Sequence, residues 1–203
     1  MKILAASDIH GDLQAAEALA KKAKKEKADL IILAGDLSIF GNGLEGLLKP
    51  FKDADKKVAL IPGNHDSEAD IFMLKKRYPD TIYDLHNYSF KIGDVGFFGC
   101  GLANIGPNEL SEDELYKKIQ SSYNYIKNSK KKIMVVHVPP YNTKLDKIGN
   151  NMKIGSTAVR DMIEKTKPDA CICGHIHETF GLEDKLGKTN IINAGPKGKI
   201  IEI

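Results

Sequence analysis

The chain has 203 residues, 42% of them hydrophobic, which is enough to bury a sizeable core and predicts a single domain over residues 1–203. The formal net charge of +3 is mild and comes mostly from lysine runs that lack interleaved aromatic residues, so a nucleic-acid partner is not indicated. No segment approaches the roughly 20 apolar residues of a membrane span, so a membrane partner is not expected.

The amino-terminal residues and the cysteines predict the cellular compartment of the protein. Asp8 interrupts the first apolar run too early for a signal peptide. The odd set Cys100, Cys171 and Cys173 offers no disulfide framework, and strand spacing disfavours a bond between the last two. We therefore expect a soluble cytoplasmic protein.

The first third of the chain alternates between strands and helices. Apolar runs predict strands at Lys2 to Ser7, Asp29 to Ala34 and Lys56 to Ile61. A helix is predicted from Leu13 to Lys25, with Asp12 as its cap, and a looser one from Leu44 to Lys52. This alternation is typical of a parallel sheet with crossover helices.

The pattern then changes. A short helix is predicted to end near Tyr78, and a hairpin turns at Gly93-Asp94. The remaining predicted elements are a helix from the capping box Ser111/Glu114 to Asn128, a strand at 132–136, a helix from Ser156 to Lys165, a strand at 170–173, and two terminal strands at 189–194 and 199–203. The stretch from Tyr141 to Gly155 has little periodicity and is predicted to be a long loop.

Polar motifs follow five of the predicted strands, where ligands of parallel sheets gather. They are Asp8-Ile9-His10, Gly35-Asp36, Gly63-Asn64-His65-Asp66, His137 and Gly174-His175-Ile176-His177. A lone histidine is more often structural, but five such motifs at strand ends are hard to explain as caps and turns. The remaining histidine, His86, lies beside Asn87 and is predicted to be exposed.

As a set, these motifs resemble the D-x-H, G-D, G-N-H-[DE], H and G-H-x-H series of the calcineurin-like metallophosphoesterases. The resemblance runs from Lys2 to roughly Gly195, and the region around His137-Val138-Pro139-Pro140 looks like the small phosphodiesterase-type branch. It implies an α/β fold in which a two-sheet β-sandwich is flanked by helices.

The resemblance also implies a binuclear metal centre. Asp8, His10, Asp36 and His177 would bind one ion, and Asp36, Asn64, His137 and His175 the other, with Asp36 bridging. Mixed nitrogen and oxygen ligands suit two divalent ions; Mn²⁺ is favoured, and Fe, Zn²⁺, Co²⁺ or Ni²⁺ are alternatives. A metal-bridging hydroxide would attack phosphorus, His65 would assist the leaving group, and Asp66 would orient His65.

Three functions follow from this resemblance. The leading one is a phosphodiesterase acting on a phosphate-ester substrate. A phosphomonoesterase is the alternative, slightly disfavoured because Arg77 and Arg160 lie outside the motifs, and a non-catalytic scaffold of the same fold is the second alternative. The loop Tyr141 to Gly155 and Asn104, in the loop Gly101 to Pro107, are expected to wall the substrate pocket. The natural substrate and the oligomeric state, a homo-oligomer included, stay open.

Overall fold

The computed structural model describes residues 1–86, 88–150 and 152–203. Its strands are β1 Lys2–Ala6, β2 Leu30–Ala34, β3 Val58–Ile61, β4 Ile82–Asp84, β5 Phe90–Ile92, β6 Val95–Cys100, β7 Lys131–Val136, β8 Lys147–Ile148, β9 Met152–Lys153, β10 Ala170–Cys173, β11 Glu183–Leu186, β12 Thr189–Asn193 and β13 Lys199–Glu202. Its α-helices are α1 Leu13–Lys25, α2 Lys49–Asp53, α3 Glu68–Arg77, α4 Glu112–Ile126 and α5 Thr157–Thr166. A short 3₁₀ helix covers His177–Thr179.

Two mixed sheets form the centre of the fold. The first has five strands in the order β13-β1-β2-β3-β4, and the second has six in the order β11-β12-β10-β7-β6-β5. Strands β1 to β4 run parallel to one another, as do β6, β7, β10 and β12, while β13, β5 and β11 pair antiparallel at the sheet edges. Because parallel strands end at the same edge, the turns after β1, β2 and β3 lie together, and so do those after β7 and β10.

Three apolar clusters define the layers. One lies between the sheets and includes Ile32 and Ile172. The other two cover the outer faces, where α1 to α3 pack on the first sheet and α4 and α5 on the second. Strand β2 is buried at all five positions, as expected of a parallel strand covered on both faces. The predicted two-sheet sandwich flanked by helices is confirmed.

Some local predictions are corrected. The expected helix from Leu44 to Lys52 is only α2, because Pro50 fits the first turn of a helix but not its interior. Strands β4 and β11 were not predicted; β4 has three residues, too few to show a period. The expected loop from Tyr141 to Gly155 contains the short hairpin β8–β9. None of the helices in the described ranges combines the length and apolar composition needed to span a bilayer.

Candidate metal centre

The predicted ligands lie in the turns that follow β1, β2, β3, β7 and β10. Four of them have positive φ angles, namely Asp8 (55°), His10 (44°), Asp36 (51°) and His175 (71°). Such conformations cost about 1–3 kcal/mol each for residues other than glycine and concentrate at functional sites. The sharp turns aim these side chains into one region at the edge of both sheets.

Asp36 lies between two histidines. Its Oδ2 is 3.8 Å from Nε2 of His10, and its Oδ1 is 3.4 Å from Nε2 of His137. The backbone N–H of His65 donates to the same Oδ1 at 2.9 Å. Burial alone would raise the pKa of Asp36, but the charge and hydrogen bonding of His137 hold it well below its usual range. The carboxylate is therefore anionic and has one oxygen on each side, as a bridging ligand requires.

The His137 ring is oriented by a backbone carbonyl. Its Nδ1 donates to the oxygen of Ala34 at 2.8 Å, because a carbonyl can only accept. Its Nε2 faces Oδ1 of Asn64 at 3.1 Å as well as Asp36. Burial alone would lower the pKa of His137, but the carboxylates of Asp36 and Asp8 raise it to about 9. A histidine that donates one nitrogen to a carbonyl and points the other at oxygen ligands is the usual arrangement at a metal.

Asp8 belongs to both groups of candidate ligands. Its Oδ1 lies 3.6 Å from Nε2 of His177, and both its oxygens accept from the N–H of His175. The ligand atoms of Asp8, His10 and His177 lie within 4.8 Å of one another, as do those of Asp8, Asp36 and His137. The interaction with the Asp8 carboxylate raises the pKa of His177.

His175 lies outside both of these compact groups. Its ring packs edge-on against His137, with 5.0 Å between centroids. Burial, together with the neighbouring charge of His137, lowers the pKa of His175 to about 4. The imidazole is therefore neutral at physiological pH, the state in which histidine binds metals.

Two observations fit divalent ions at this edge. Nε2 of His10 is buried and has no hydrogen-bond partner in the described part of the chain, although it points towards Asp36. A Cβ on Gly63 would lie 2.1 Å from an Asp36 oxygen, and one on Gly174 would lie 2.4 Å from an Asp8 oxygen. These glycines make room for two buried carboxylates close to the backbone, and buried carboxylates are ordinarily paired with a cationic group or bound to a metal. The donor set of carboxylate, imidazole and amide suits such ions.

His65 lies at the rim of this group. Its ring meets the His10 ring edge-on at 5.2 Å and contacts the Phe40 ring at 4.9 Å. Its Nδ1 is buried without a hydrogen-bond partner among the described residues. Sequence reasoning missed Phe40, which is 57% exposed. The signal was two adjacent large apolar residues, Ile39 and Phe40, in a polar turn.

The expected contact between Asp66 and His65 is wrong. The Asp66 carboxylate is fully buried and accepts from the N–H groups of Leu37, Ser38 and Gly63 and from the Ser38 hydroxyl, at 2.8–2.9 Å. Burial raises the pKa of Asp66, and these donors oppose the shift. The N–H groups of the two packed turns lie within hydrogen-bond distance of the Asp66 carboxylate, and they take the place of the expected His65 ring. Asp66 therefore fastens the turn after β2 to the turn after β3, and the His10 and Phe40 rings flank His65.

The predicted exposure of His86 is also wrong. Its ring is fully buried; Nε2 lies 2.9 Å from Oε1 of Glu68, and Nδ1 accepts from the N–H of Gly101 at 3.1 Å. Burial lowers the pKa of His86, and nearby Lys118 adds to the effect. The neighbouring Asn87, used for that prediction, lies outside the described residues.

The loop from Gly101 to Pro107 reaches the candidate metal centre. A Cβ on Gly106 would lie 3.0 Å from Asn64, and the Asn108 side chain donates to the Asn64 carbonyl at 3.1 Å. Asn104 instead donates to Glu112 at 2.9 Å. The assignment of Asn104 and of the segment Tyr141 to Gly155 to the substrate pocket stays a prediction.

Comparison with known proteins agrees with this geometry. The family model described as calcineurin-like phosphoesterase matches residues 1–179. The chain belongs to the calcineurin-like phosphoesterase family. It is 32% identical over 217 residues to the uncharacterized protein MJ1162 of Methanocaldococcus jannaschii, covering 99% of this chain and 91% of that protein. The resemblance inferred from the motifs is confirmed.

Solved structures share the fold of this calcineurin-like phosphoesterase. The protein TT1561 of Thermus thermophilus superposes with a TM-score of 0.74 at 19% identity, covering 97% of this chain and 90% of that one. A structure described as a novel archaeal phosphodiesterase superposes with a TM-score of 0.57 at 19% identity, covering 96% and 84%. At such identities the likeness shows the fold alone.

Proposed function

We propose that this calcineurin-like phosphoesterase is a phosphodiesterase that uses two divalent metal ions. The observation that carries the proposal is the position of Asp36, whose two oxygens face His10 on one side and His137 on the other. Asp8, His10, Asp36 and His177 would hold one ion, and Asp36, Asn64, His137 and His175 the other. Mn²⁺ is the proposed metal and Fe, Zn²⁺, Co²⁺ or Ni²⁺ are the alternatives, all of which suit nitrogen and oxygen ligands without thiolate.

The metal ions, when bound, would lower the pKa of water and polarise the phosphoryl oxygens. The protein residues have separate tasks. The Ala34 carbonyl fixes the His137 tautomer, and the N–H of His175 supports the Asp8 carboxylate. His65 would donate a proton to the leaving oxygen, which becomes negative only as its bond to phosphorus breaks. Asp66 would act at a distance, by holding the turns that carry Asp36 and His65.

The preference for a diester rests on the positions of the arginines. Arg77 lies 3.7 Å from Glu45, and Arg160 pairs with Glu164 at 2.9 Å and donates to the carbonyls of Tyr141 and Asn142. Both are therefore engaged away from the candidate ligands. A dianionic monoester benefits from an arginine clamp more than a monoanionic diester does.

The buried, free cysteines support the further proposal of a reducing, cytoplasmic location.

The test compares two chromogenic esters. Metal-stripped protein is reloaded with Mn²⁺ and assayed with bis(4-nitrophenyl) phosphate and with 4-nitrophenyl phosphate. We expect kcat/KM for the diester to exceed that for the monoester by about tenfold or more, a difference of about 1.4 kcal/mol in transition-state binding. A reversed ratio would make the protein a monoesterase. Bound metal without turnover of either ester would indicate a scaffold.

A further inference from the structure

A cavity lies beside the candidate metal centre. It has a volume of about 440 Å³ and is formed by the residues after the 3₁₀ helix and by the turn between β12 and β13. Phe180, Ala194 and Pro196 give it apolar walls, and Lys197 and Lys199 also line it. We call it the Phe180 pocket. Its volume is within the range of small-molecule sites.

Two residues that line the Phe180 pocket contact the chain segments that contain candidate metal ligands. The Phe180 ring contacts the His177 ring, with 4.7 Å between centroids. Gly195 exchanges hydrogen bonds with Ser7, its carbonyl accepting from the Ser7 N–H and its N–H donating to Oγ, both at 3.1 Å. Ser7 directly precedes Asp8. The pocket therefore lies next to the side of the centre formed by Asp8 and His177.

Two lysines, Lys197 and Lys199, line the pocket. Lys197 is exposed and forms no ion pair with any residue that the structure describes. Lys199 pairs with Glu183, so its charge is offset. Lys22 donates to the carbonyls of Lys197 (3.2 Å) and Gly198 (2.7 Å), which holds the turn in place. The pocket thus combines apolar walls with the Lys197 ammonium group, which no carboxylate of the described residues neutralises, on a fixed turn.

We propose that the Phe180 pocket receives the non-reacting ester arm of the substrate, an apolar or aromatic group that carries its own anionic substituent near Lys197. This inference rests on the proposed phosphodiesterase function. With the phosphorus at the metal centre, one ester oxygen would leave beside His65 and the other arm would pass His177 into the pocket. The substrate class is then a diester of a bulky, negatively charged alcohol, such as a nucleoside phosphate.

The test uses three 4-nitrophenyl diesters that differ only in the second arm: methyl, thymidine 5′-yl, and thymidine 5′-yl with a 3′-phosphate. We expect wild-type kcat/KM to rise in that order. Lys197→Glu should lower kcat/KM for the 3′-phosphorylated ester about tenfold, mainly through KM, because it replaces an attraction near the surface by a repulsion. The methyl ester should change less than about twofold.

The control is Lys91→Glu, an exposed lysine on β5 at the opposite edge of the six-stranded sheet. It should leave all three esters unchanged. If Lys197→Glu slows the three esters equally, or if wild type does not distinguish their arms, the substrate-arm assignment is wrong.

A metal-independent measurement separates this inference from the proposed function. Metal-free protein is titrated with 1-anilinonaphthalene-8-sulfonate, an anionic aromatic dye whose fluorescence rises on binding. Lys197→Glu should weaken dye binding about tenfold relative to Lys91→Glu. If no diester is hydrolysed but this difference appears, the pocket is an anionic-aromatic site and the phosphodiesterase function fails. Equal dye binding by the two variants overturns the pocket itself.

Discussion

Oδ1 of Asp36 lies 3.4 Å from Nε2 of His137. This contact joins the turn after β2 of one sheet to the turn after β7 of the other. Oδ2 of the same carboxylate faces His10. The two sheets therefore meet at Asp36 on the edge where the candidate ligands gather, and the protein's metal chemistry is expected to depend on this one carboxylate.

Replacing Asp36 by alanine should remove tight metal binding and activity together. The wild type should bind two ions per chain, whereas Asp36→Ala should bind fewer than one and lose at least about 100-fold in turnover, since even outer-shell changes at metal sites cost about 10–100-fold. Elemental analysis of reconstituted protein measures the binding. Asp161→Ala, at an exposed site on α5, is the matched control and should retain both ions. One ion or none in the wild type would contradict a binuclear centre.

Replacing His65 by alanine should separate binding from chemistry. Its ring lies beside His10 but is not needed to complete either proposed ligand set. His65→Ala should keep its metals and lose about 10²–10⁴-fold in kcat for diesters with poor leaving groups, the usual cost of losing a general acid. For nitrophenyl diesters, whose leaving group depends less on protonation, kcat should fall less. An equal loss of kcat for both kinds of substrate would show that His65 holds the substrate, and loss of metal would show that His65 is a metal ligand.

Asp66→Asn should act on stability, because the carboxylate accepts four hydrogen bonds from the turns it joins. An amide keeps one acceptor oxygen and turns its NH₂ towards N–H donors. The free energy of unfolding should fall by about 3 kcal/mol, the upper end of the contribution of a hydrogen bond to a charged group. Urea unfolding measures it, with Asp161→Asn as the exposed control. If Asp66→Asn instead lowered kcat selectively for diesters with poor leaving groups, as expected for His65→Ala, Asp66 would have a direct role in orienting His65.

His86 should make the protein less stable in mild acid. The ring faces Glu68, Lys118 and the Gly101 N–H, and the Cys100 thiol and Asp84 lie next to it. Burial lowers the pKa of His86 below the ordinary value of about 6.5, so the unfolded chain binds more protons as the pH falls. Its contribution is therefore fully present above about pH 6.5 and is lost below that pH.

Urea unfolding of wild type and His86→Gln between about pH 5 and 8 tests this expectation. Glutamine keeps polar groups at the site but does not titrate. The free energy of unfolding should fall more steeply towards the acid end of this range in the wild type than in the variant. The difference between the two proteins removes the contribution of the other histidines, which both share. Parallel curves would show that His86 does not titrate in this range.

Much of this protein is encoded locally. Apolar runs that end in glycine or proline mark the central strands, and the Ser111/Glu114 box begins α4 where predicted. The motifs at the strand ends could be found because parallel strands must end at one edge. Short elements were missed because β4 and β11 take their conformation from pairing with neighbours, which a local pattern does not contain.

The sequence by itself determined which side chains reach the edge of the sheets; the tertiary structure decided what each of them contacts. Asp66 binds backbone donors of a turn far along the chain instead of its neighbour His65, because two turns pack together there. His86 is buried because Glu68 and Gly101 satisfy both ring nitrogens. Phe180 forms a pocket wall because the turn after β12 packs against it, so closely that a Cβ on Gly195 would lie 2.9 Å from the Phe180 side chain. The Asp66 contacts depend on the packing of two neighbouring turns of the first sheet, and the contact between His86 and Gly101 depends on the packing of one sheet against the other.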